Sequence, residues 1–272
     1  MTRVPRCLAI AASDSSGGAG LEADLKAFAA AGCHGTVAVT AVTAQHTRGI
    51  TRIDTLPAAA VQAQLDAVLG DIHIDAVKTG ALMTAEIVQV VAATVRRLDV
   101  PVVVDPVLGA TAGDTALLDA PGVEALRAHL LPLATVVTPN LHEAEVLSGR
   151  RGSKAALAEA LVAIGARAVI VTGGHGTAVD HLFDGMQHIQ IDVVRVDGAS
   201  HGSGCTHAAT IAALLAQGMP LVDAARAASC ITAEAIRNGL HDLGTGEGPV
   251  DVLGLAARPA QAPGARRMRR TT

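Results

Sequence analysis

The chain has 272 residues, of which 50% are hydrophobic and 17% charged, and its formal net charge is −4 at pH 7. This composition indicates a folded globular protein and excludes a disordered chain. It contains no Trp, no Tyr and two Phe, so it lacks the aromatic rings on which single-stranded nucleic acids stack, and we expect no nucleic-acid partner. No apolar run approaches the ~20 residues that a membrane-spanning helix needs, so we also expect no membrane partner.

Cysteine usage and the two ends of the chain predict its compartment and domain organisation. The cysteines are far apart and form no C-x-x-C, which is typical of a reducing cytoplasm and argues against a zinc site. The first residues lack the apolar core of a signal peptide, so we predict a cytoplasmic protein. We interpret residues 1–255 as one domain, because no linker or repeat interrupts them, and residues 256–272 as a disordered basic tail.

Strand and helix patterns alternate along the chain, which predicts an α/β fold with a mostly parallel central sheet. The predicted strands are residues 7–12, 36–43, 72–77, 102–104, 135–137, 168–171 and 189–196. The predicted helices are residues 21–31, 57–69, 84–98, 154–164, 205–218 and 221–238. Polar and glycine-rich motifs follow the carboxyl ends of these strands, and that edge is where open α/β sheets bind ligands. We therefore predict one ligand site along this edge.

A glycine-rich stretch, GASHGSGCT at residues 198–206, links the last predicted strand to the helix at 205–218. Glycines permit a tight turn and a close approach to a ligand, and the N–H groups that begin a helix attract anions. Cys205 lies at this helix start, where the pKa of a thiol tends to fall. An anion cradle beside a proton acceptor is what phosphoryl transfer to a hydroxyl requires. The alternative is a plain tight turn with a buried cysteine.

Two familiar nucleotide-binding motifs are missing from the sequence. There is no G-x-x-x-x-G-K-[ST], which excludes a P-loop, and no G-x-G-x-x-G after the first strand, which disfavours a dinucleotide fold. Residues 198–202 do match G-x-S-x-G, but Ser200 is not at a strand–helix elbow, so a serine hydrolase is a remote alternative.

Five motifs, taken together, resemble those of the hydroxymethylpyrimidine/phosphomethylpyrimidine kinases of thiamine biosynthesis. They are SDSSGGAG at residues 13–20 with ADLK at 23–26, TAQHTRG at 43–49, VDPV at 104–107, TPNLHEA at 138–144 and HGSGCT at 201–206. The resemblance implies a ribokinase-like, three-layer αβα sandwich that uses ATP and Mg²⁺, and a homodimer. It also implies ATP-dependent phosphorylation of 4-amino-5-hydroxymethyl-2-methylpyrimidine and of its monophosphate.

The resemblance assigns a role to each matching position. Cys205 is the implied base, where most ribokinase-like enzymes have an aspartate, and the implied anion hole is formed by Gly202, Ser203 and Gly204. The implied substrate-binding residues are Gln45, Asp24, Ala19, Ala81 and Val107. The implied ATP-binding residues are Asp105, Asn140, Glu143, Thr172, Gly173 and Gly174. Of these, Asp105 and Glu143 are the implied Mg²⁺ ligands, in part through water.

Several of these residues also have simpler interpretations. Asn140 and Glu143 have the spacing of a capping box, which can coexist with a role in the site. Gln45 can be a surface loop residue, and Asp105 can belong to an ordinary turn after a strand. A pyrimidine sensor without catalysis is a further alternative.

Three positions depart from the family pattern and bear on the substrate. Ala12 and Ala81 stand where the family more often has glycine and methionine, and Thr172 stands where many members have lysine. The short side chain of Ala81 is expected to enlarge the pocket. The alternative substrate is therefore pyridoxal or pyridoxine, phosphorylated by the same machinery.

Overall fold

A computed structural model describes residues 3–110, 115–173, 179–193, 196 and 198–258. Within these ranges nine strands form one sheet, in the order β3-β2-β1-β4-β5-β6-β7-β8-β9. The strands are β1 (Arg6–Asp14), β2 (His34–His46), β3 (Gly49–Thr55), β4 (Ala76–Thr79), β5 (Val102–Val104), β6 (Val136–Val137), β7 (Val169–Val171), β8 (Val179–Phe183) and β9 (His188–Asp192). The pairs from β2 to β7 are parallel, and β3, β8 and β9 pair antiparallel at the two edges.

Helices cover both faces of the sheet. They are α1 (Gly20–Ala30), α2 (Ala58–Asp71), α3 (Ala85–Val95), α4 (Ala120–Ala125), α5 (Leu141–Ser148), α6 (Lys154–Ile164), α7 (Ser203–Ala216) and α8 (Leu221–Arg237). Alternate residues of β1 point to opposite faces, so Leu8 and Ile10 pack in one apolar core and Cys7 and Ala9 in the other. The first core is completed by α2 to α6 and the second by α1, α7 and α8. The predicted three-layer αβα arrangement is confirmed.

Most of the predicted elements agree with the structure, and two differ. The strand predicted at 72–77 begins only at Ala76, because Ile72 caps α2 and the ladder to β1 starts at Ala76. The strand predicted at 36–43 continues through residues 44–46, which complete β2, and the chain turns at Thr47 and Arg48 into β3. Of the strand predicted at 189–196, residues 194 and 195 lie outside the described residues, as do residues 259–272 of the predicted tail.

The topology brings the carboxyl ends of six parallel strands to one edge of the sheet. The N-terminus of α7 therefore meets the end of β2 there. It also meets the residues that follow β1, β4, β5, β6 and β7. In the part of the chain that is described, the structure contains no helix both long and apolar enough to cross a membrane.

Candidate active site

A cleft opens at this edge of the sheet, where open α/β sheets bind their ligands. The predicted site residues that line it are Ala19, Gln45, Ala81, Asp105, Val107, Asn140, Glu143, Thr172, Gly202, Ser203, Gly204 and Cys205. Gly173 is not part of the lining, and Gly174 lies outside the described residues. The structure thus brings most of the predicted residues into one place.

The glycine turn before α7 forms as predicted, with Gly202 as the N-cap at φ +78°. Two features of position 202 exclude a side chain. The backbone is left-handed, and an added Cβ would lie 1.8 Å from the Gly18 carbonyl oxygen. The hydrogen-bond ladder of α7 begins at the Thr206 N–H, which donates to the Gly202 carbonyl. The N–H groups of Gly204 and Cys205 precede this ladder and belong to the electropositive start of the helix. This is the geometry of an anion-binding site.

The Cys205 thiol is half-buried in the cleft, at the first turn of α7. Burial raises the pKa of Cys205 to about 12; Lys78 and the Gly20 N–H oppose the rise, and Asp105 and Asp24 add to it. The expectation that this pKa falls is therefore wrong, because burial outweighs the lowering by Lys78 and by the Gly20 N–H. In the free protein the thiol is neutral at pH 7.

A buried ion-pair cluster supports the floor of the cleft. The ammonium of Lys78, at 0% exposure, lies 2.8 Å from Asp24 Oδ1 and 3.3 Å from Asp105 Oδ2. Burial would lower the pKa of Lys78, but the negative charges of Asp24 and Asp105 and the hydrogen bond to Asp24 raise it overall. Burial raises the pKa of Asp24 to about 6, although Lys78 acts in the opposite direction. Lys78 therefore stays charged and holds Asp105 at the cleft.

The prediction that Asp24 lines the substrate pocket needs correction. Asp24 is fully buried on α1, and Lys78 separates its carboxylate from the cleft. A carboxylate without a cation in this apolar layer would be costly, so the residue's role is to balance Lys78. No role was predicted for Lys78, although it is one of only three lysines in the chain and lies one residue before the end of a strand at the ligand-binding edge.

A second polar group joins the end of β1 to the turn before α7. His201 Nε2 lies 3.0 Å from Asp14 Oδ2 and 3.4 Å from the amide nitrogen of Gln45. Asp14 is 3% exposed and also accepts the N–H groups of Ser16, Gly18 and Ala19. Burial would raise the pKa of Asp14, but hydrogen bonds from His201, Ser16 and Ala19 lower it to about 2. This carboxylate therefore organises the loop between β1 and α1. Neither Asp14 nor His201 was predicted as a site residue.

We expect Asp14→Asn to reduce stability in a pH-dependent way. The folded pKa of about 2 lies below the ordinary value of 3.8 for an aspartate, so the ionised carboxylate stabilises the fold above pH ~4 by about 2 kcal/mol, and this stabilisation is lost as the pH falls through 4 towards 2. Urea unfolding of wild type and variant at a series of pH values measures the difference. Asp66→Asn, at an exposed position on α2, is the control, and we expect little change from it. A difference for Asp14→Asn that does not vary with pH would contradict this role for the charge.

Asn140 and Glu143 form the predicted capping box at the start of α5. Asn140 Oδ1 accepts the Glu143 N–H at 2.9 Å, and Glu143 Oε2 accepts the Asn140 N–H at 2.9 Å. Both residues also line the cleft, so the structural role and a role in the site coexist. Burial and the charge of Asp105 raise the pKa of Glu143 to about 8, and the N–H groups of Asn140 and Leu108 oppose the rise.

Asp105 lies close enough to Glu143 for its charge to raise the pKa of Glu143. Two carboxylates without further protein ligands suit Mg²⁺, which keeps several waters and completes its shell with substrate phosphates. Across the described ranges no three His, Cys, Asp or Glu residues group as a closed metal site. The residues present therefore fit a phosphate-bridging Mg²⁺ better than a structural metal.

The surroundings of Ser200 disfavour a serine hydrolase. Its hydroxyl donates to Glu247, and Nε2 of the neighbouring His201 is directed at Asp14. Ser200 is thus paired with a carboxylate and not with a histidine base.

Comparison with known proteins now identifies the family. A family model described as phosphomethylpyrimidine kinase matches residues 14–251. The chain belongs to the phosphomethylpyrimidine kinase family. This confirms the resemblance of the five motifs, and it places the protein among phosphotransferases, against the alternatives of a sensor and a hydrolase.

Curated relatives and solved structures agree with this assignment. The chain is 46% identical over 256 residues to a hydroxymethylpyrimidine/phosphomethylpyrimidine kinase of Synechococcus elongatus, covering 91% of this chain and 97% of the relative. A phosphomethylpyrimidine kinase structure from Clostridium difficile, at 32% identity, matches with a TM-score of 0.76 over 86% of this chain and 100% of that chain. The ADP complex of Bacillus subtilis pyridoxal kinase, at 34% identity, matches with a TM-score of 0.84 over 94% of this chain and 100% of that one. The ribokinase-like fold is therefore confirmed.

Proposed function

We propose that the protein transfers the γ-phosphoryl group of ATP to the hydroxymethyl group of 4-amino-5-hydroxymethyl-2-methylpyrimidine, and then phosphorylates the resulting monophosphate, in thiamine biosynthesis. One observation carries this proposal. A single cleft holds an amide for the ring, a thiol beside a helix start for the transfer, and two carboxylates for the cation. The names of the relatives point to the same reaction.

The substrate end of the cleft is formed by Gln45, Ala19, Ala81 and Val107. The carboxamide of Gln45 offers an acceptor and a donor side by side, which matches a ring nitrogen beside an exocyclic amine. Thr43 Oγ1 lies 3.1 Å from Gln45 Oε1 and helps to fix the amide. The three aliphatic residues provide walls for a flat heterocycle, in a chain that has few aromatic rings.

Phosphoryl transfer takes place at the start of α7. The substrate hydroxyl oxygen attacks the γ-phosphorus, its proton passes to the thiolate form of Cys205, the bond from the γ-phosphorus to the oxygen that bridges it to the β-phosphate breaks, and ADP leaves. The N–H groups of Gly202, Gly204 and Cys205 stabilise the negative charge on the transferred group, whereas the Ser203 N–H donates to the Ser200 carbonyl at 3.0 Å. Lys78 is the charged group that lowers the pKa of Cys205, so it favours the thiolate that accepts this proton.

We place the nucleotide end at Asp105, Asn140, Glu143 and Thr172, which line the cleft, with Gly173 next to Thr172 in the chain; Gly174 lies outside the described residues. Asp105 and Glu143 would hold Mg²⁺, partly through water, and the cation would neutralise charge on the ATP phosphates. Use of ATP is supported by structural relatives: the Staphylococcus aureus pyridoxal kinase, with a TM-score of 0.82, was solved with the ATP analogue AMP-PCP and pyridoxal.

Pyridoxal is the second candidate substrate. It is favoured by the pyridoxal kinases among the structural relatives and by Ala81, whose short side chain leaves room in the cleft. The catalytic groups would be the same for both alcohols.

A steady-state assay with ATP and Mg²⁺ on both alcohols tests the function. We expect kcat/KM for the pyrimidine to exceed that for pyridoxal by about tenfold or more, because loss of one paired donor and acceptor costs at least that factor. Gln45→Ala should raise the KM for the pyrimidine and leave the KM for ATP unchanged. A wild-type preference for pyridoxal would overturn the main proposal in favour of the alternative.

We also propose that the protein is a cytoplasmic homodimer whose residues 1–255 form one domain, followed by a basic tail at 256–272. The continuous sheet from β3 to β9 supports the single domain. The edge strands β3 and β9 leave backbone groups available for a second chain.

A further inference from the structure

A buried polar cluster lies outside the cleft, between β8, α7 and α8. It consists of Asp180, His207 and Ser229, which are 7%, 6% and 4% exposed. The Ser229 hydroxyl lies 3.4 Å from Asp180 Oδ2 and 3.3 Å from His207 Nε2. None of the three lines the cleft, and the proposed chemistry uses none of them. A buried carboxylate is costly unless it is paired, so this one needs an explanation.

The Asp180 carboxylate is connected to the nucleotide end of the cleft. In the antiparallel pair of β7 and β8, Val171 is opposite His181, so Asp180 lies beside the residues that follow β7. Burial raises the pKa of Asp180, whereas His207, Lys154, a hydrogen bond from the Gly173 N–H and the Ser229 hydroxyl each lower it. The strand register and this effect on its pKa place the Asp180 carboxylate within reach of the backbone N–H of Gly173, the neighbour of the cleft residue Thr172.

Gly173 needs this support because of its conformation. Its φ is +63°, a left-handed backbone that reverses the chain immediately after β7. Thr172 is anchored on the other side, where its N–H donates to the Pro139 carbonyl at 2.9 Å. The strand end is therefore held from one side by the backbone before α5 and from the other by Asp180.

The same cluster reaches the helix that carries the thiol. His207 is two residues after Cys205 on α7, and through Ser229 it is joined to Asp180. The cluster therefore couples the position of the strand end at Thr172 to the position of α7.

We propose that Asp180 is a positioning residue for the nucleotide, which it serves by fixing the Thr172–Gly173 backbone without touching the ligand. The inference rests on the proposed nucleotide end of the cleft. It differs from a purely structural role in one respect: loss of the carboxylate affects nucleotide binding selectively, while the pyrimidine end, built on β1, β2 and β4, is unaffected.

The test is Asp180→Asn, measured by calorimetric titration with AMP-PCP and Mg²⁺ and, separately, with the pyrimidine. We expect the Kd for the nucleotide to rise about tenfold, because the neutral carboxamide keeps an acceptor oxygen but loses the charge that strengthens its hydrogen bonds. The Kd for the pyrimidine should stay within about twofold. Asp192→Asn, an exposed position on the adjacent strand β9, is the matched control and should change neither. Equal Kd changes for both ligands, or no change, would overturn the inference.

A second variant decides the question if Asp180→Asn does not fold. Ser229→Ala keeps the carboxylate but removes one of its partners, so we expect a rise of about threefold in the Kd for the nucleotide alone. An unchanged nucleotide Kd in that variant would overturn the inference. Wild-type protein that binds AMP-PCP but does not phosphorylate the pyrimidine contradicts the proposed substrate only, because the Kd comparison still stands. If the wild-type protein binds no nucleotide, both the proposed function and the proposed role of Asp180 are overturned.

Discussion

Cys205→Ala is expected to lower kcat by about 100-fold or more while the affinity for AMP-PCP stays within about twofold of wild type. The thiol is the group at the start of α7 that can accept the substrate proton, and alanine removes it without disturbing the backbone of the turn. The nucleotide end of the cleft, at Asn140, Glu143 and Thr172, is built on other elements and keeps its geometry. Single-turnover phosphorylation and a separate titration with AMP-PCP measure the two quantities.

Two further variants show whether the lost activity is due to a missing base. Cys230→Ala removes an exposed thiol from α8 and should leave kcat unchanged. Cys205→Asp places a carboxylate where most ribokinase-like enzymes, by the resemblance, have their base, and it should restore part of the turnover. Near-normal kcat in Cys205→Ala would refute the assignment.

The pH dependence provides an independent test of the same residue. Because burial raises the pKa of Cys205 to about 12, the thiolate fraction increases with pH throughout the accessible range. If proton transfer limits turnover, wild-type kcat rises between pH 7 and pH 9.5, up to about tenfold per pH unit. The rise should be much smaller in Cys205→Asp, whose base is already ionised at pH 7, because only Glu143, with a pKa of about 8, then still titrates in this range. A flat wild-type profile would indicate that another group, or another step, controls the rate.

Local sequence patterns were sufficient to predict the turn at Gly202, the helix after it and the capping box at Asn140 and Glu143. Each of these depends on residues within a few positions of one another, where backbone freedom and capping chemistry decide the structure. The location of the site was also predictable, because the carboxyl ends of parallel strands must meet at one edge of the sheet. The motifs that bear the family resemblance lie at that edge.

Properties set by distant parts of the chain were not predictable. Asp24 on α1 and Lys78 on β4 are far apart in sequence and meet only when α1 packs on the sheet, so Asp24 was placed in the pocket and Lys78 was given no role. The pKa of Cys205 was wrongly expected to fall, because the helix start is a local feature and burial is not. Likewise β3, a largely exposed edge strand, has a weak apolar pattern, and its pairing with β2 identifies it.

Lys78→Met is expected to cost about 3–5 kcal/mol of stability, the usual cost of leaving a buried carboxylate without its partner. Methionine fills a similar volume, so the loss reports the missing charge beside Asp24 and Asp105. Urea unfolding measures it. The matched control is Arg52→Met, which breaks the exposed ion pair to Asp54 on β3 and should have little effect on stability. A loss no larger than in the control would contradict the proposed importance of the buried pair.

The double variant Asp24→Asn/Lys78→Met separates the two roles of the lysine. Removal of the opposing carboxylate should recover much of the stability lost in Lys78→Met, because Asp24 then no longer carries a buried unpaired charge. It should not recover kcat, because Lys78 is the charge that lowers the pKa of Cys205 and it also holds Asp105 at the cleft. Recovery of both would show that Lys78 acts on the reaction only through folding. Recovery of stability alone would show that the Lys78 ammonium supports the fold through Asp24, and that it supports the chemistry through Cys205 and Asp105.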